Sequence, residues 1–158
     1  MKPTKAENYP PAIVAIQPSR IISGQVGLFA LRKIPANTVI AHAHDFDESA
    51  LIPWDEFRKL DATTRGRMRM FCWQSKRGVH SPKNINHLTL LWHINHSCSP
   101  NVFMDEATWD YKALHAIRKG EELSIDMGSI MTDPKFRLKC RCGLPKCVGI
   151  IKARNPDR

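Results

Sequence analysis

The sequence predicts a mainly β fold that carries a small helical insert. Short β-branched runs bounded by proline and glycine fill the first quarter of the chain. The middle changes to the helical spacing of apolar residues, and short apolar runs joined by turns return in the second half. A chain of 158 residues has the length of one domain, large enough to bury roughly two-thirds of its unfolded surface.

The first quarter is expected to form short strands separated by tight turns. The expected strands cover residues 13–16, 20–22 and 39–43. A glycine turn within residues 24–30 leads into a further apolar segment. His42 and His44 would share one face of the strand at 39–43, because alternate residues of a strand point the same way. Residues 1–12 contain three prolines and are expected to form an extended arm.

The middle of the chain is expected to be helical, over residues 45–88. Pro53 suits the first position of a helix. The face of this helix is predicted to carry Trp54, Phe57 and Leu60. Asp61 is placed to cap a second helix. The inward side of the second helix is predicted to carry Met68, Phe71 and Cys72.

Basic residues are frequent in the same region, and the chain has a formal net charge of +9. They include Arg65, Arg67, Arg69, Lys76 and Arg77. We interpret them as a solvated helix face rather than a nucleic-acid patch, because no aromatic residues alternate with them. The overall charge still favours an acidic or polyanionic partner, and electrostatic contact with nucleic acid stays open.

The second half is expected to return to strands. They cover residues 101–104, 111–117 and 123–127. An acidic loop at Asp105 and Glu106 would join the first two. Asp126 lies in the apolar third strand, so its carboxylate must be hydrogen-bonded or neutralised if it is buried. From Gly128 onward we expect a loop and a cysteine knuckle.

The strongest chemical signal is a group of three closely spaced cysteines, Cys140, Cys142 and Cys147. Three thiolates lack one ligand for the tetrahedral site that zinc prefers, and Cys98 is a candidate for the fourth. Unrelated thiols and an iron–sulfur site are weaker alternatives. The remaining cysteine, Cys72, has apolar neighbours and is predicted to be a buried, unreactive thiol.

The cysteine usage and the lack of long apolar runs favour an intracellular protein. Five cysteines, three of them close together, fit metal binding in a reducing compartment better than a secreted disulfide framework. No stretch approaches the roughly 18 uninterrupted apolar residues of a membrane span, and no apolar signal region follows Met1. We therefore expect no membrane partner.

Three motifs follow one another along the chain. Residues 95–101 read Asn-His-Ser-Cys-Ser-Pro-Asn, residues 120–126 read Gly-Glu-Glu-Leu-Ser-Ile-Asp, and residues 140–143 read Cys-Arg-Cys-Gly, with Cys147 behind them. In order and spacing they resemble the motifs of SET-domain protein lysine methyltransferases with a post-SET zinc tail. The resemblance implies a SET-domain-like fold of several small sheets, of the β-clip type. In that fold the C-terminal segment is threaded under the loop of the first motif.

The resemblance also implies a division of the chain. The SET domain would cover residues 13–132, with the insert at residues 45–88. The post-SET zinc knuckle would cover residues 133–152, and the N-terminal arm residues 1–12.

The activity implied is methyl transfer from S-adenosylmethionine (SAM) to the side-chain amine of a lysine in a protein, with a histone tail as one candidate. The implied SAM contacts are Gln25, Val26, Gly27, Asn95, His96 and the segment after the last cysteine. The lysine would enter from the opposite face through a narrow channel and lose a proton before attack, since its reference pKa is about 10.4. The implied compartment is the nucleus or chromatin in a eukaryote and the cytoplasm in a bacterium.

The catalytic positions depart from the family pattern. Met127 stands where the family usually has a tyrosine, Ile125 stands where an aromatic residue usually sets the channel width, and Asp126 lies between them. Gln25 replaces the first glycine of a Gly-x-Gly turn, so strain is expected if that position needs a positive φ. Ile150 replaces an aromatic residue near the adenine. These departures leave open a SET domain that binds cofactor or peptide without turnover, and a zinc-stapled nucleic-acid binder is a third hypothesis.

Overall fold

The computed structural model describes residues 10–42 and 49–155. Within these ranges the chain forms short strands in three sheets together with a few short helices, which confirms the mainly β fold class. Most of the expected arm, and His44, lie outside the described residues. None of the described helices is both long enough and apolar enough to cross a membrane.

The strands and helices are short throughout the described chain. In chain order the strands are β1 (Val14–Pro18), β2 (Val26–Ala30), β3 (Val39–Ala41), β4 (Ser49–Pro53), β5 (Trp73–Ser75), β6 (Gly78–Pro82), β7 (Asn95–His96), β8 (Val102–Met104), β9 (Tyr111–Ala113), β10 (Glu122–Ile125), β11 (Arg137–Lys139) and β12 (Ile150–Lys152). The α-helices are α1 (Trp54–Lys59), α2 (Ala62–Phe71) and α3 (Met127–Ile130), and residues Leu90–His93 form a 3-10 turn.

Strand β10 is the centre of the largest sheet, which has seven strands in the order β1-β2-β10-β8-β9-β3 with β7 also paired to β10. It runs antiparallel to β2 and parallel to β7 and β8. Because β10 has neighbours along both edges, Leu123, Ser124 and Ile125 are buried. This arrangement brings two of the sequence motifs, residues 95–101 and 120–126, side by side.

The predicted strand at residues 20–22 is wrong, because these residues form a turn. Ser19 Oγ accepts hydrogen bonds from the backbone N–H groups of Ile21 (3.0 Å) and Ile22 (2.9 Å). Glu122 Oε2 accepts from the N–H of Arg20 at 2.7 Å. Such side-chain acceptors satisfy backbone donors that a strand partner would otherwise take. The β-branched composition of the segment therefore did not decide its structure.

The two helices predicted for the insert are present. Asp61 caps α2, as expected, by accepting a hydrogen bond from the N–H of Thr64 at 3.0 Å. Pro53 is the residue before α1 rather than its first helical residue. Met68 and Cys72 are buried and Phe71 is half-buried. Burial raises the pKa of Cys72 to about 11, in agreement with an unreactive thiol.

The insert also contains a sheet that the sequence analysis did not foresee, with strands in the order β4-β6-β5. Pairs β4–β6 and β5–β6 are both antiparallel. Val79 on β6 packs with Phe57, Met68 and Cys72 into a small core of its own. The run of apolar residues before Pro53 was too short to be told from a loop by its periodicity.

The tail is more ordered than the predicted loop and knuckle. Asp126 ends β10 and caps α3 by accepting a hydrogen bond from the N–H of Gly128 at 2.9 Å, so Met127 begins a helical turn instead of extending the strand. Strands β11 and β12 form an antiparallel hairpin. Ile151 of this hairpin is buried with Met131, Phe136 and Cys140.

Candidate active site and cysteine cluster

Four cysteines from distant parts of the chain meet beside the tail hairpin. The Sγ atoms of Cys98, Cys140, Cys142 and Cys147 all lie within 4.8 Å of one another. Cys98 Sγ lies 3.7 Å from Cys140 Sγ. A tetrahedral zinc ion with Zn–S bonds of about 2.3 Å separates its sulfur ligands by about 3.8 Å. The donor type, number and spacing of this cysteine cluster therefore fit a zinc ion.

Backbone hydrogen bonds of the tail arrange the cysteine cluster. The N–H of Cys140 donates to the carbonyl of Gly149 at 2.7 Å, which closes the segment that carries Cys142 and Cys147. The N–H of Val148 donates to Cys98 Sγ at 3.5 Å. The N–H of Gly149 donates to Cys147 Sγ at 3.4 Å. Burial raises the pKa of the Cys98 thiol, and the N–H of Val148 acts in the opposite direction.

His96 connects the cysteine cluster to the end of β10. Its ring is buried, Nδ1 accepts a hydrogen bond from the N–H of Met127 at 3.2 Å, and Nε2 lies 3.4 Å from Cys98 Sγ. Because Nδ1 is an acceptor, the proton belongs on Nε2, which then donates to the sulfur. Burial lowers the pKa of His96, so the imidazole is neutral at pH 7.

Asp126 lies just after β10 and is only partly buried, and its carboxylate is paired with Arg154. The guanidinium of Arg154 forms an ion pair with Asp126, and the N–H of Arg154 donates to the carbonyl of Gly128 at 2.9 Å. The chain after the last cysteine is thereby tied to the end of β10. No motif in the sequence pointed to Arg154, which lies beyond the Cys-rich segment.

Asn95 and Glu122 hold the turn that precedes β2. Asn95 Nδ2 donates to the carbonyl of Val26 and to Glu122 Oε1, both at 2.9 Å. Glu122 Oε1 also accepts from Ser19 Oγ at 2.7 Å. Sequence analysis placed Glu122 in a motif but gave it no role. Its carboxylate crosslinks three segments that are far apart in the chain.

The backbone at Gln25, in the turn before β2, does not have the strain that the sequence analysis expected. Gly24 adopts φ +77°, and the non-glycine residues with positive φ in the described chain are Asn37 and Trp109. The adjacent glycine thus takes the left-handed conformation. Gly27 is required for another reason, because a Cβ atom there would lie 2.1 Å from Glu122 Oε1.

A cavity of about 290 Å³ lies beside the turn. Of the predicted site residues, Gln25, Asn95, Ile125 and Met127 line it. The other predicted residues, Val26, Gly27, His96 and Asp126, are not among its lining residues. Val26 instead lines a wider groove of about 860 Å³, which shares Gln25 with the cavity.

Most of the cavity wall comes from residues that sequence analysis missed as site residues. They include Met70, Phe71, Trp73, Trp92, Met104, Trp109, Tyr111 and Met131. These residues lie on the insert, in the 3-10 turn, on the β8–β9 hairpin and after α3, and they share no motif. Their apolar character was the only signal, and it is equally typical of core residues.

The described residues that line the cavity carry no ionised side chain at neutral pH. None of them is Asp, Glu, Lys or Arg, although the chain as a whole has a net charge of +9. Burial lowers the pKa of His80 and raises the pKa of Tyr111 to about 12. Both groups therefore remain neutral at pH 7, and the cavity is suited to apolar groups and to cations held by ring faces.

Comparison with known proteins assigns the family. The SET-domain family model matches residues 25–128, more than half of the chain. The chain is 34% identical over 70 residues, 39% of its length, to "Histone-lysine N-methyltransferase ash1" of Drosophila melanogaster. It is 30% identical over 129 residues, 77% of its length, to "Histone-lysine N-methyltransferase trr" of the same organism. These matches span only 3% and 5% of the two relatives. The chain belongs to the SET-domain family.

Proposed function

We propose that this domain transfers a methyl group from SAM to the side-chain amine of a lysine in a protein, and that histone tails are its substrates. The observation that carries the proposal is the shared cavity. It joins Gln25 and Asn95, at the proposed SAM positions, to Ile125 and Met127, at the proposed lysine positions. The names of the two Drosophila relatives support histone lysine as the substrate class.

SAM would supply a methyl group bound to a positively charged sulfur. The residues present fit such a group, since none of the described residues that line the cavity is a Lys or Arg that would repel a cation. Asn95 and Glu122 position the turn of Gln25, Val26 and Gly27 through the hydrogen bonds described above. His96 supports the same region from the side of the cysteine cluster.

The other end of the cavity would receive the lysine. Ile125, Met104 and Met127 exclude water there, and an apolar surrounding favours the neutral amine that has lost its proton. Held there, the nitrogen lone pair would be free to accept the methyl group that SAM would supply. Met127 has no hydroxyl group to orient the amine, so positioning depends on the shape of the cavity.

We also propose one zinc ion on Cys98, Cys140, Cys142 and Cys147, within a post-SET knuckle over residues 133–152 that follows a SET domain over residues 13–132. The metal would hold the tail against the SET domain, because its ligands come from both parts. The ion pair between Arg154 and Asp126 would assist it. Structural metal sites of this kind contribute directly to folding.

The direct test is transfer of a labelled methyl group from SAM to core histones or to a lysate of basic proteins. We expect label in the protein fraction, and we expect Asn95→Ala to lower it strongly because the turn before β2 loses its anchor. SAM binding by a well-folded wild-type protein without any incorporation would reject the proposal.

A domain that binds cofactor or peptide without turnover is the second candidate. It is favoured by the position of Met127 and Ile125 at the cavity, where neither can offer a phenolic hydroxyl group. Rapid turnover by the wild-type protein would reject it.

Nucleic-acid contact is a weaker candidate, because several basic side chains have partners within the chain. Arg65 donates to the carbonyls of Arg58 and Leu60, Arg67 lies over the ring of Phe71, and Arg69 lies over that of Phe57. If nucleic acid binds at all, affinity should fall steeply with added salt. A nuclear location on chromatin would follow from a histone substrate.

A further inference from the structure

Three aromatic side chains line the cavity, one from the insert and two from the β8–β9 hairpin. Trp73 lies on β5, Trp109 lies in the loop between β8 and β9, and Tyr111 lies on β9. The ring centroids of Trp73 and Trp109 are 5.8 Å apart with an interplanar angle of 50°. Trp73 also stacks on His80, with centroids 4.2 Å apart and an angle of 24°. The indole of Trp73 is therefore held in place by neighbouring rings.

The backbone of Trp109 indicates that its position at the cavity has a function. Its φ is +62°, a strained conformation that bulky residues rarely adopt. The hairpin imposes it, since the N–H of Trp109 donates to the carbonyl of Asp105 at 2.6 Å and Lys112 Nζ contacts Asp105 Oδ2 at 2.5 Å. Trp109 remains 42% exposed, so burial in the core does not offset the strain.

The cavity lining distinguishes between kinds of ammonium group. An unmodified lysine ammonium brings three N–H donors, each of which needs an acceptor. None of the described residues that line the cavity is acidic, so none of them offers a carboxylate to accept these donors. A methylated ammonium exchanges N–H groups for methyl groups that share the positive charge, and aromatic ring faces attract such cations. The thioethers of Met104 and Met127 are polarizable groups that can pack against the methyl groups.

We propose that Trp73, Trp109 and Tyr111 form an aromatic cage for the methylated ammonium of a lysine, so that this domain prefers lysines that are already methylated. The inference rests on the proposed function, because it names the substrate class of the same cavity. A mono- or dimethylated amine keeps a lone pair after it loses its proton and can accept a further methyl group. A trimethylated lysine has no lone pair left, so it binds as a product without reacting.

The test compares how tightly two small probes bind to the zinc-loaded wild-type protein. Binding is measured by NMR titration in the absence of SAM. The probes are Nα-acetyl-lysine amide and its Nε-trimethyl derivative. We expect the trimethylated probe to bind at least about tenfold more tightly, because ring faces hold it and the unmodified ammonium finds no carboxylate among the described lining residues. Equal affinities, or tighter binding of the unmodified probe, would overturn the proposal.

Two variants at one position isolate the ring of Trp109. Trp109→Phe and Trp109→Leu share the strained backbone and differ in the presence of an aromatic face. We expect the preference for the trimethylated probe to survive in Trp109→Phe and to disappear in Trp109→Leu. Leu114→Ala, at an exposed position that does not line the cavity, should leave the preference for the trimethylated probe unchanged. A full preference in Trp109→Leu would overturn the cage.

Methyl transfer to matched peptides separates this inference from the function beneath it. Methyl transfer to both the unmodified and the methylated peptide, with equal affinity for the two peptides, would leave the proposed activity intact and reject the cage. A clear preference for the methylated probe, with no methyl transfer to any peptide, would support the cage and reject the proposed activity.

Discussion

The two ends of the cavity are built from different chemistry. At the proposed SAM end, Asn95 and Glu122 join the turn before β2 through several hydrogen bonds, and His96 links the cysteine cluster to Met127. At the proposed lysine end, the wall consists of aliphatic, thioether and aromatic groups, with Ile125 and Met127 among them. One end is specified by matched donors and acceptors, and the other mainly by shape.

This difference predicts how the two ends respond to substitution. Removing one partner of a buried hydrogen bond leaves the other unsatisfied and costs about 1–3 kcal/mol. Exchanging one apolar group for another of similar volume usually costs less than about 1.5 kcal/mol. We therefore expect the fold to persist when apolar residues at the proposed lysine end, such as Met127 and Ile125, are exchanged for other apolar residues. We expect variants of the hydrogen-bonded end to affect folding and variants of the apolar end to affect activity.

The largest effect is expected from removal of a cysteine ligand. Cys98→Ser should lower zinc from one ion per chain to near zero and weaken SAM affinity at least about tenfold, because the tail loses its link to the SET domain. Elemental analysis and calorimetric titration measure the two quantities. Cys72 lies outside the cluster, so the Cys72→Ala variant should still bind one zinc ion per chain. Unchanged zinc in Cys98→Ser would contradict the four-cysteine assignment.

The next largest effect concerns the apolar end. Met127→Tyr should raise the rate of methyl transfer by about 100-fold, which is the typical contribution of one oriented polar group. Met127→Phe supplies the same ring without the hydroxyl and should give no comparable increase. Initial rates at saturating SAM measure both variants. If the two variants have the same rate, the hydroxyl group is not what the natural sequence lacks.

A smaller effect, on stability, is expected at the turn before β2. Gly27→Ala should lower the free energy of unfolding by about 1–3 kcal/mol, because the new Cβ collides with the carboxylate of Glu122. Gly66→Ala in α2 meets no atom within 4 Å and should instead raise stability by about 0.5–1 kcal/mol. Urea denaturation measures both. Equal stability of Gly27→Ala and the wild type would refute the packing role of this glycine.

The smallest effect is a dependence of stability on pH. Burial lowers the pKa of His80 and of His93, so below about pH 6.5 the unfolded chain binds more protons than the folded chain. The contribution of these two neutral histidines to the free energy of unfolding is complete above that pH and is lost as the pH falls. Denaturation midpoints should decline from pH 7.5 to pH 5.5, and less so in His80→Phe. A midpoint that rises on acidification would contradict this sign.

Motifs and caps were predictable from the sequence, whereas the cavity wall was not. Asp61 as a helix cap, buried Cys72 and the meeting of Cys98 with the later cysteines are confirmed, because each follows from local chemistry or ligand number. The turn at residues 20–22 and the sheet of the insert were missed. Both depend on partners distant in sequence, such as Glu122, that no local pattern reveals.

The most direct measurement of the central claim is a single-turnover reaction with the zinc-loaded protein in excess over labelled SAM and with core histones present. The protein fraction is then hydrolysed and its amino acids are separated. We predict label in methylated lysine for the wild type, and little or none for Asn95→Ala. Label confined to unreacted SAM, in a wild-type protein that binds SAM and contains zinc, would contradict the account.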